Sequence, residues 1–191
     1  MIKSIILASQ SPRRRELMML LNTPFSSENP QIDEVVDPAL PIQKAVEKIA
    51  VDKAQDVFNR HPNAIVIGSD TVVVIDDEVL GKPKDDEDAI RMLKLLSGKT
   101  HKVITGVCMI SEHEKIVFHS QAKVTFYPLD EALIKSYVAS SLPMDKAGAY
   151  GIQDRGALFI ESIQGDYYTI MGLPIAEVNR RLKKMEGGSG S

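Results

Sequence analysis

A run of β-branched residues in the middle of the chain constrains the fold more than any other feature. Ile65 to Ile75 reads IVIGSDTVVVI, and its content of Val and Ile is typical of a buried strand. A turn at Asp76-Asp77 and the returning pair Val79-Leu80 follow, so the sequence predicts a hairpin. A sheet is therefore central to the predicted fold.

The rest of the chain alternates predicted helices with predicted strands. Apolar spacings of three and four residues indicate the helices, and short apolar runs indicate the strands. We predict further strands at residues 5–8, 102–110, 115–126, 157–163 and 167–171, and helices at residues 12–21, 42–59, 85–97, 130–140 and from 174 onward. Several of these strands are predicted to be antiparallel, so an α/β fold with a mixed sheet is favoured over a purely parallel one.

Composition limits the class of protein. The 191 residues are 43% hydrophobic and 26% charged, which is typical of a soluble globular protein with a sizeable core. A net charge of −3 and an aromatic content of 5% argue against a general nucleic-acid binder. The sequence shows neither a signal peptide nor a membrane span, so we expect a cytoplasmic protein. We take residues 1–185 as one domain and 186–191 as a flexible linker or a tail added for expression.

Three arginines stand at the predicted start of the first helix. Ser11 suits the N-cap and Pro12 the first helical position, which places Arg13, Arg14 and Arg15 in the first turn. Cations there oppose the helix dipole and cost roughly 0.3–1 kcal/mol each. A bound anion would offset this cost, so strand, turn and helix together predict a polyphosphate site. A solvated basic turn is the alternative interpretation.

Asp70 is the second candidate for chemistry, because it interrupts the β-branched run. An ionised carboxylate among valines is costly to bury unless a cation compensates it. A structural ion pair would do so, but beside a phosphate site a metal ligand or general base is favoured. Glu34, in the segment after the first helix, is a candidate second ligand, because hard divalent cations such as Mg²⁺ prefer carboxylate and phosphate oxygens.

Two lysines are less certain candidates. Lys53 lies on the apolar stripe of the second predicted helix, four residues from Ile49 and from Val57. A lysine there either extends to water or points at a negative group, and periodicity does not choose between these. Lys82 lies between Gly81 and Pro83, which would fix its direction, although a solvated loop lysine is the simpler interpretation.

Three other features of the sequence do not indicate a catalytic or binding site. Gly98-Lys99-Thr100 lacks the earlier glycine and the strand–loop–helix order of a P-loop, and Gly98 is predicted to end a helix. Cys108, the single cysteine, is predicted to pack in the core. The four histidines have no spacing typical of metal ligands, so a zinc site is not predicted.

Four segments together resemble the Maf family of nucleotide pyrophosphatases, once described as septum-formation inhibitors. They are LASQSPRR at residues 7–14, GSDT at 68–71, GKP at 81–83 and DKAGAYGIQ at 145–153. Each is weak alone, but four in this order are highly specific. The resemblance implies an inosine-triphosphate-pyrophosphatase-like α/β fold, with an elongated mixed sheet, flanking helices and two lobes around a deep cleft.

The resemblance also implies an activity. It is the hydrolysis of a nucleoside triphosphate to the monophosphate and pyrophosphate with a divalent cation, Mg²⁺ or Mn²⁺. Thr71 after the aspartate and the Ile152-Gln153 pair are similar to the subgroup that hydrolyses dTTP and UTP. Ser69 departs from the alanine that is common in the family, which is a conservative difference.

Individual roles follow from the matched positions. Asp70 corresponds to the catalytic proton acceptor, and with Glu34 it remains the candidate metal ligand that its chemistry suggests. Arg13, Thr71 and Gln153 correspond to positions that choose the base. The remaining polar lining corresponds to Ser9, Arg14, Glu34, Lys53, Lys82, Asp145 and Lys146.

The expected partner is a small nucleoside triphosphate, with no nucleic acid and no membrane, and the resemblance allows a homodimer. The alternative function is a regulatory protein of cell division or septum formation that binds nucleotide without turnover. Pyrophosphate release separates the two.

Overall fold

The sheet predicted around Ile65–Ile75 is present in the computed structural model, which describes residues 3–187. Within these residues the strands are β1 (Ile5–Ala8), β2 (Phe25–Ser27), β3 (Ile65–Ile75), β4 (Glu78–Leu80), β5 (Thr100–Ile110), β6 (Lys115–Phe126) and β7 (Ile160–Gln164). The helices are α1 (Pro12–Met19), α2 (Ile42–Arg60), α3 (Asp86–Leu96), α4 (Glu131–Ala139), α5 (Tyr167–Met171) and α6 (Ile175–Gly187).

The sheet is mixed, as predicted. Its strand order is β2-β1-β3-β5-β6-β7, and β4 pairs with β3 outside this path. β1 runs parallel to β2 and to β3, whereas β4 is antiparallel to β3 and β7 is antiparallel to β6. Asp76 and Asp77 both have positive φ, 46° and 64°, the conformation of the tight two-residue turns that join hairpin strands. The predicted α/β class and hairpin are confirmed.

The chain divides into two compact units. Among the described residues the first unit comprises residues 3–70, 105–120 and 172–187, and the second comprises 71–104 and 121–171. In the first unit, small residues of α2 such as Ala50 and Ala54 share a core with Ile6, Val66 and Cys108. Burial raises the pKa of the Cys108 thiol to about 12, which fits its predicted role as a core residue.

The core of the second unit lies between the strands and the helices α3 and α4. Its largest fully buried side chains include Phe126, Tyr137 and Phe159, whose rings meet edge to face. Asp85 and Asp130 cap α3 and α4 by accepting hydrogen bonds from the third residue beyond them. Gly98, with φ of +67°, follows α3 as predicted.

One predicted strand was wrong and a second was wrong in part. Residues 167–171 form α5, because the Asp166 carboxylate accepts hydrogen bonds from both Thr169 N (2.7 Å) and Thr169 Oγ1 (2.8 Å) and so caps a helical turn. The strand predicted at 157–163 begins only at Ile160, because Arg155–Phe159 is a 3₁₀ turn. β2 was not predicted.

Ser69 and Asp70 interrupt the β-branched run of the sequence but not the strand, since β3 is continuous through both residues. Of the predicted tail, residues 186 and 187 lie within α6, and residues 188–191 fall outside the described part of the chain. None of the helices within residues 3–187 combines the length and the apolar character needed to cross a membrane.

Candidate active site

Lys53, Asp70 and Glu34 form one charged cluster in the first unit. Lys53 Nζ lies 2.9 Å from Asp70 Oδ1 and 3.0 Å from Glu34 Oε1. The Lys53 and Asp70 side chains are 6% and 11% exposed, whereas the Glu34 side chain is 48% exposed. Lys53 therefore points at negative groups rather than extending to water, and Asp70 is compensated by a buried cation.

A glycine on β3 allows α2 to approach closely enough for this contact. A Cβ atom at Gly68 would lie 2.5 Å from Ala50 O and 2.8 Å from Ala54 N. No such separation is sterically permitted, so the helix can rest here only on a residue without a side chain. Lys53 lies between Ala50 and Ala54 in the chain and Asp70 lies two residues after Gly68, on the same face of the strand. The close packing thus brings the ammonium to the carboxylate.

The predicted start of α1 is confirmed. The Ser11 side chain caps the helix by accepting from Arg14 N at 3.4 Å, and Pro12 is the first helical residue. Ser9, which is buried, accepts a hydrogen bond from Ser11 N at 3.1 Å and so fixes the turn between β1 and α1. No acidic residue lies in the first turn of α1 to balance Arg13, Arg14 and the helix dipole.

Arg14 is held against the backbone near the site. Its Nε donates to Gly172 O at 2.8 Å, and burial lowers the pKa of its guanidinium, with the charge of Asp70 acting in the opposite direction. Ser69 Oγ donates to the same carbonyl at 2.9 Å. Ser69, the neighbour of Asp70 in the chain, and Arg14 are therefore held by the same backbone carbonyl.

Sequence reasoning missed Gly172. Its φ of +116° lies in the region that favours glycine, and this backbone conformation presents the carbonyl that Arg14 and Ser69 share. The available signal was a glycine in Met171-Gly172-Leu173-Pro174, immediately before α6. Composition alone could not connect it to Arg14, which is 158 residues away in the chain.

The second unit holds the other predicted site residues. Thr71 lies half-buried on β3, Lys82 is exposed after β4, and Gln153 is exposed in the loop after Gly151. Lys146 is buried; its Nζ donates to Asp145 Oδ1 at 2.9 Å and to Leu142 O at 2.5 Å.

Asp154 is a further member of this group that sequence reasoning missed. Its Oδ2 lies 3.4 Å from Lys146 Nζ, while its Oδ1 accepts from Tyr137 Oη at 3.0 Å and from Gly156 N at 2.7 Å. Tyr137 Oη in turn accepts from Gly151 N at 3.0 Å. These bonds fix both ends of the loop that carries Gln153.

The geometry of the first unit suits proton transfer beside a polyanion. Asp70 is a buried carboxylate that contacts the Lys53 ammonium, and the N-terminus of α1 with Arg13 and Arg14 belongs to the same unit. Within residues 3–187 no three side chains from His, Cys, Asp and Glu are grouped to hold a metal ion. The carboxylates of Asp70 and Glu34, which both contact Lys53, are the candidate ligands for a cation.

Comparisons with known proteins agree with this description. The family model described as "Maf-like protein" matches residues 4–185. A protein of Bacillus cytotoxicus named dTTP/UTP pyrophosphatase is 46% identical over 188 residues, covering 98% of each chain. A protein of Bacillus velezensis with the same name is 47% identical over 184 residues, covering 96% of this chain and 97% of that one.

One solved structure supports the fold. The Staphylococcus aureus Ham1 protein matches with a TM-score of 0.54 and 14% identity, covering 96% of this chain and all of that chain. At this identity the likeness concerns the fold alone.

Proposed function

The chain belongs to the Maf-like protein family, and from that premise we propose that it hydrolyses nucleoside triphosphates, foremost dTTP and UTP, to the monophosphate and pyrophosphate. The names of relatives with about 45% identity over nearly the whole chain support this substrate class. The single observation that carries the proposal is the buried Lys53–Asp70 pair with Glu34 beside it. Such a cluster is expensive to bury and suits a reaction that needs a fixed, ionised base.

In the proposed reaction Asp70 accepts a proton from water. The water oxygen forms a bond to the α-phosphorus, the bond from that phosphorus to the bridging oxygen of the β-phosphate breaks, and pyrophosphate leaves with the bond's electron pair. Lys53 donates a hydrogen bond to Asp70 Oδ1 and so fixes the direction of the carboxylate. A base held in place in this way needs no reorganisation when the water arrives.

The N-terminus of α1 is the proposed site for the phosphate chain. The positive end of the helix dipole and the Arg13 guanidinium favour an anion, and Arg14 adds positive charge at a position fixed by Gly172. Ser9 holds the turn, so its proposed role is to shape the site through Ser11 N. An anion bound here would offset the cost of placing arginines at the positive end of a helix.

Asp70 and Glu34 fit the requirement for a divalent cation, Mg²⁺ or Mn²⁺. Both carboxylates already converge on one positive centre, the Lys53 ammonium, at 2.9 and 3.0 Å. Carboxylate oxygens supplemented by phosphate oxygens are the ligands that these cations prefer. When bound, the cation would neutralise the charge that develops on the phosphoryl group.

Thr71 and Gln153 are the proposed determinants of base choice. A glutamine amide both donates and accepts hydrogen bonds, as the edge of thymine or uracil requires, and Thr71 is small enough to leave room for a base. The exposure of Gln153 and the bonded loop around it support this role. Lys82 is proposed to bind phosphate.

The test is pyrophosphate release from dTTP, UTP, CTP, GTP, 7-methyl-GTP and ATP, each with Mg²⁺, with Mn²⁺ and with EDTA. We expect turnover led by dTTP and UTP and abolished by EDTA. Turnover led by a purine nucleotide would refute the roles of Thr71 and Gln153 in base choice. Nucleotide binding without pyrophosphate release would favour the regulatory alternative over an enzyme.

A further inference from the structure

The segment that carries Glu34 runs antiparallel along one face of α2. Lys53, Asp56 and Arg60 are separated by three and four residues and so share one face of the helix. Their partners occur in the reverse order along the segment. Lys53 contacts Glu34, Asp56 accepts a hydrogen bond from Gln31 N at 2.9 Å, and Arg60 forms an ion pair with Glu28. The segment is thus attached to the helix at three successive points.

The attachment farthest from the site contains several bonds. Arg60 Nη2 donates to Asp56 Oδ2 at 2.6 Å and to Asn29 O at 3.3 Å. Glu28 Oε2 also meets His61 Nε2 at 2.5 Å, and Glu28 N donates to Leu7 O at 3.0 Å, which ties the beginning of the segment to β1. Glu28, Asn29 and Gln31 are therefore held before the chain reaches Glu34.

The segment has no regular secondary structure that would determine its path. Residues 28–37 form neither helix nor strand, and Val35 and Val36 on the far side of Glu34 are exposed. An unsupported segment of this length samples many conformations, each ordered residue costing about 1–2 kcal/mol of backbone entropy. The polar contacts with α2 restrict it.

Exposed ion pairs alone contribute little, but this arrangement contains more than ion pairs. Asp56 Oδ2 accepts from the backbone N–H of Gln31 as well as from Arg60, so the carboxylate fixes the chain itself. A hydrogen bond from a backbone N–H to a charged acceptor is about twice as strong as a neutral one. Asp56 is only 27% exposed, which limits competition from water.

We propose that Asp56 and Arg60 are positioning residues that hold Glu34 at Lys53 and Asp70. The proposal rests on the proposed function, because it assigns residues in the C-terminal half of α2 to the positioning of a group in that site. Neither residue contacts Asp70 in the described contacts, so each acts through the segment 28–34. Loss of either contact would let Glu34 leave the cluster without altering the Lys53–Asp70 pair.

Amide hydrogen exchange tests the attachment without reference to activity. In Asp56→Ala we expect the Gln31 amide to lose about tenfold in protection, with smaller losses through residue 34. Asp56→Asn retains an acceptor oxygen and should preserve most of this protection. The matched control is Asp52→Ala, since Asp52 pairs with Lys48 at the same i,i+4 spacing on the same helix. Unchanged protection at Gln31 in Asp56→Ala would overturn the proposal.

A kinetic cycle tests the link to Glu34. Asp56→Ala should lower kcat for dTTP by ~10- to 100-fold, as expected for a misplaced group, and Asp52→Ala should not. In a Glu34→Gln background Asp56→Ala should cause no further loss, because the group that it positions is already gone. Losses that multiply, or a Glu34→Gln variant with wild-type kcat, would refute the positioning role. Absence of turnover in the wild-type protein would refute the proposed function instead, and the exchange experiment would still decide whether Asp56 holds the segment.

Discussion

Lys53 Nζ and Asp70 Oδ1 are 2.9 Å apart, and both side chains are almost completely removed from solvent. Each charge makes the burial of the other tolerable, because an isolated ion in the interior would cost several kcal/mol. The pair exists because Gly68 lets α2 approach β3. The close packing of α2 on β3 therefore brings Lys53 to Asp70, and this contact both compensates the carboxylate's charge and fixes the candidate catalytic base.

Asp70→Asn tests the proposed base. The amide is nearly isosteric with the carboxylate and cannot accept the proton of water, so kcat for dTTP should fall by at least ~100-fold, the lower range for general-base catalysis. Nucleotide binding, measured by calorimetry, should be retained. Asp76→Asn is the control, since Asp76 lies in the turn directly after the same strand, is 65% exposed and pairs with Lys99. A near-wild-type kcat in Asp70→Asn would remove Asp70 from the chemistry.

Lys53→Met tests the compensation of charge. The substitution leaves the buried Asp70 carboxylate without its cation, and breaking a buried pair in this way costs about 3–5 kcal/mol in free energy of unfolding. Urea denaturation of both proteins measures the difference. Lys48→Met, on an exposed turn of the same helix, should change stability by less than ~0.5 kcal/mol. Equal stabilities for the two variants would show that Asp70 does not depend on Lys53.

Gly68→Ala tests the close approach of α2. The added methyl would meet Ala50 O at 2.5 Å and Ala54 Cβ at 2.9 Å, so the helix must move away. We expect a loss of about 1–3 kcal/mol in stability, as for other overpacked sites, together with reduced kcat because Lys53 moves with the helix. Gly81→Ala is the matched control, because a Cβ there meets nothing within 4 Å. Equal thermal shifts in the two variants would contradict the packing argument.

Local signals in the sequence predicted much of this arrangement. The Ser11 cap and the first-turn proline define the start of α1, and the β-branched run defines β3, because both depend on neighbouring residues. Lys53 was correctly singled out by its place on an apolar stripe, although periodicity alone left its direction open. The structure resolves that choice, since the ammonium meets Asp70.

Contacts between distant segments could not be predicted in this way. The attachment of Gln31 to Asp56 and the shared carbonyl of Gly172 depend on how strands and helices pack, and no local pattern encodes them. The error at α5 has a similar cause, because Tyr167-Tyr168-Thr169-Ile170 has strand propensity that the cap from Asp166 overrides. Roles for Thr71, Lys82 and Gln153 remain predictions from the resemblance.

His101 gives the second unit a defined dependence on pH. It is 1% exposed, its Nε2 lies 2.7 Å from Tyr150 Oη, and its ring packs edge to face on Phe126. Burial lowers its pKa from 6.5 to about 4, so the folded protein keeps the ring neutral where the unfolded chain is protonated. Its contribution to stability is therefore complete above pH 6.5 and is lost as the pH falls toward 4, by roughly 2 kcal/mol between pH 7 and pH 5.

His101→Gln should flatten the dependence of the unfolding free energy on pH over this range, whereas His113→Gln, at a 68% exposed side chain, should leave the slope unchanged. Parallel slopes for His101→Gln and the wild-type protein would mean that the ring is protonated in the folded state.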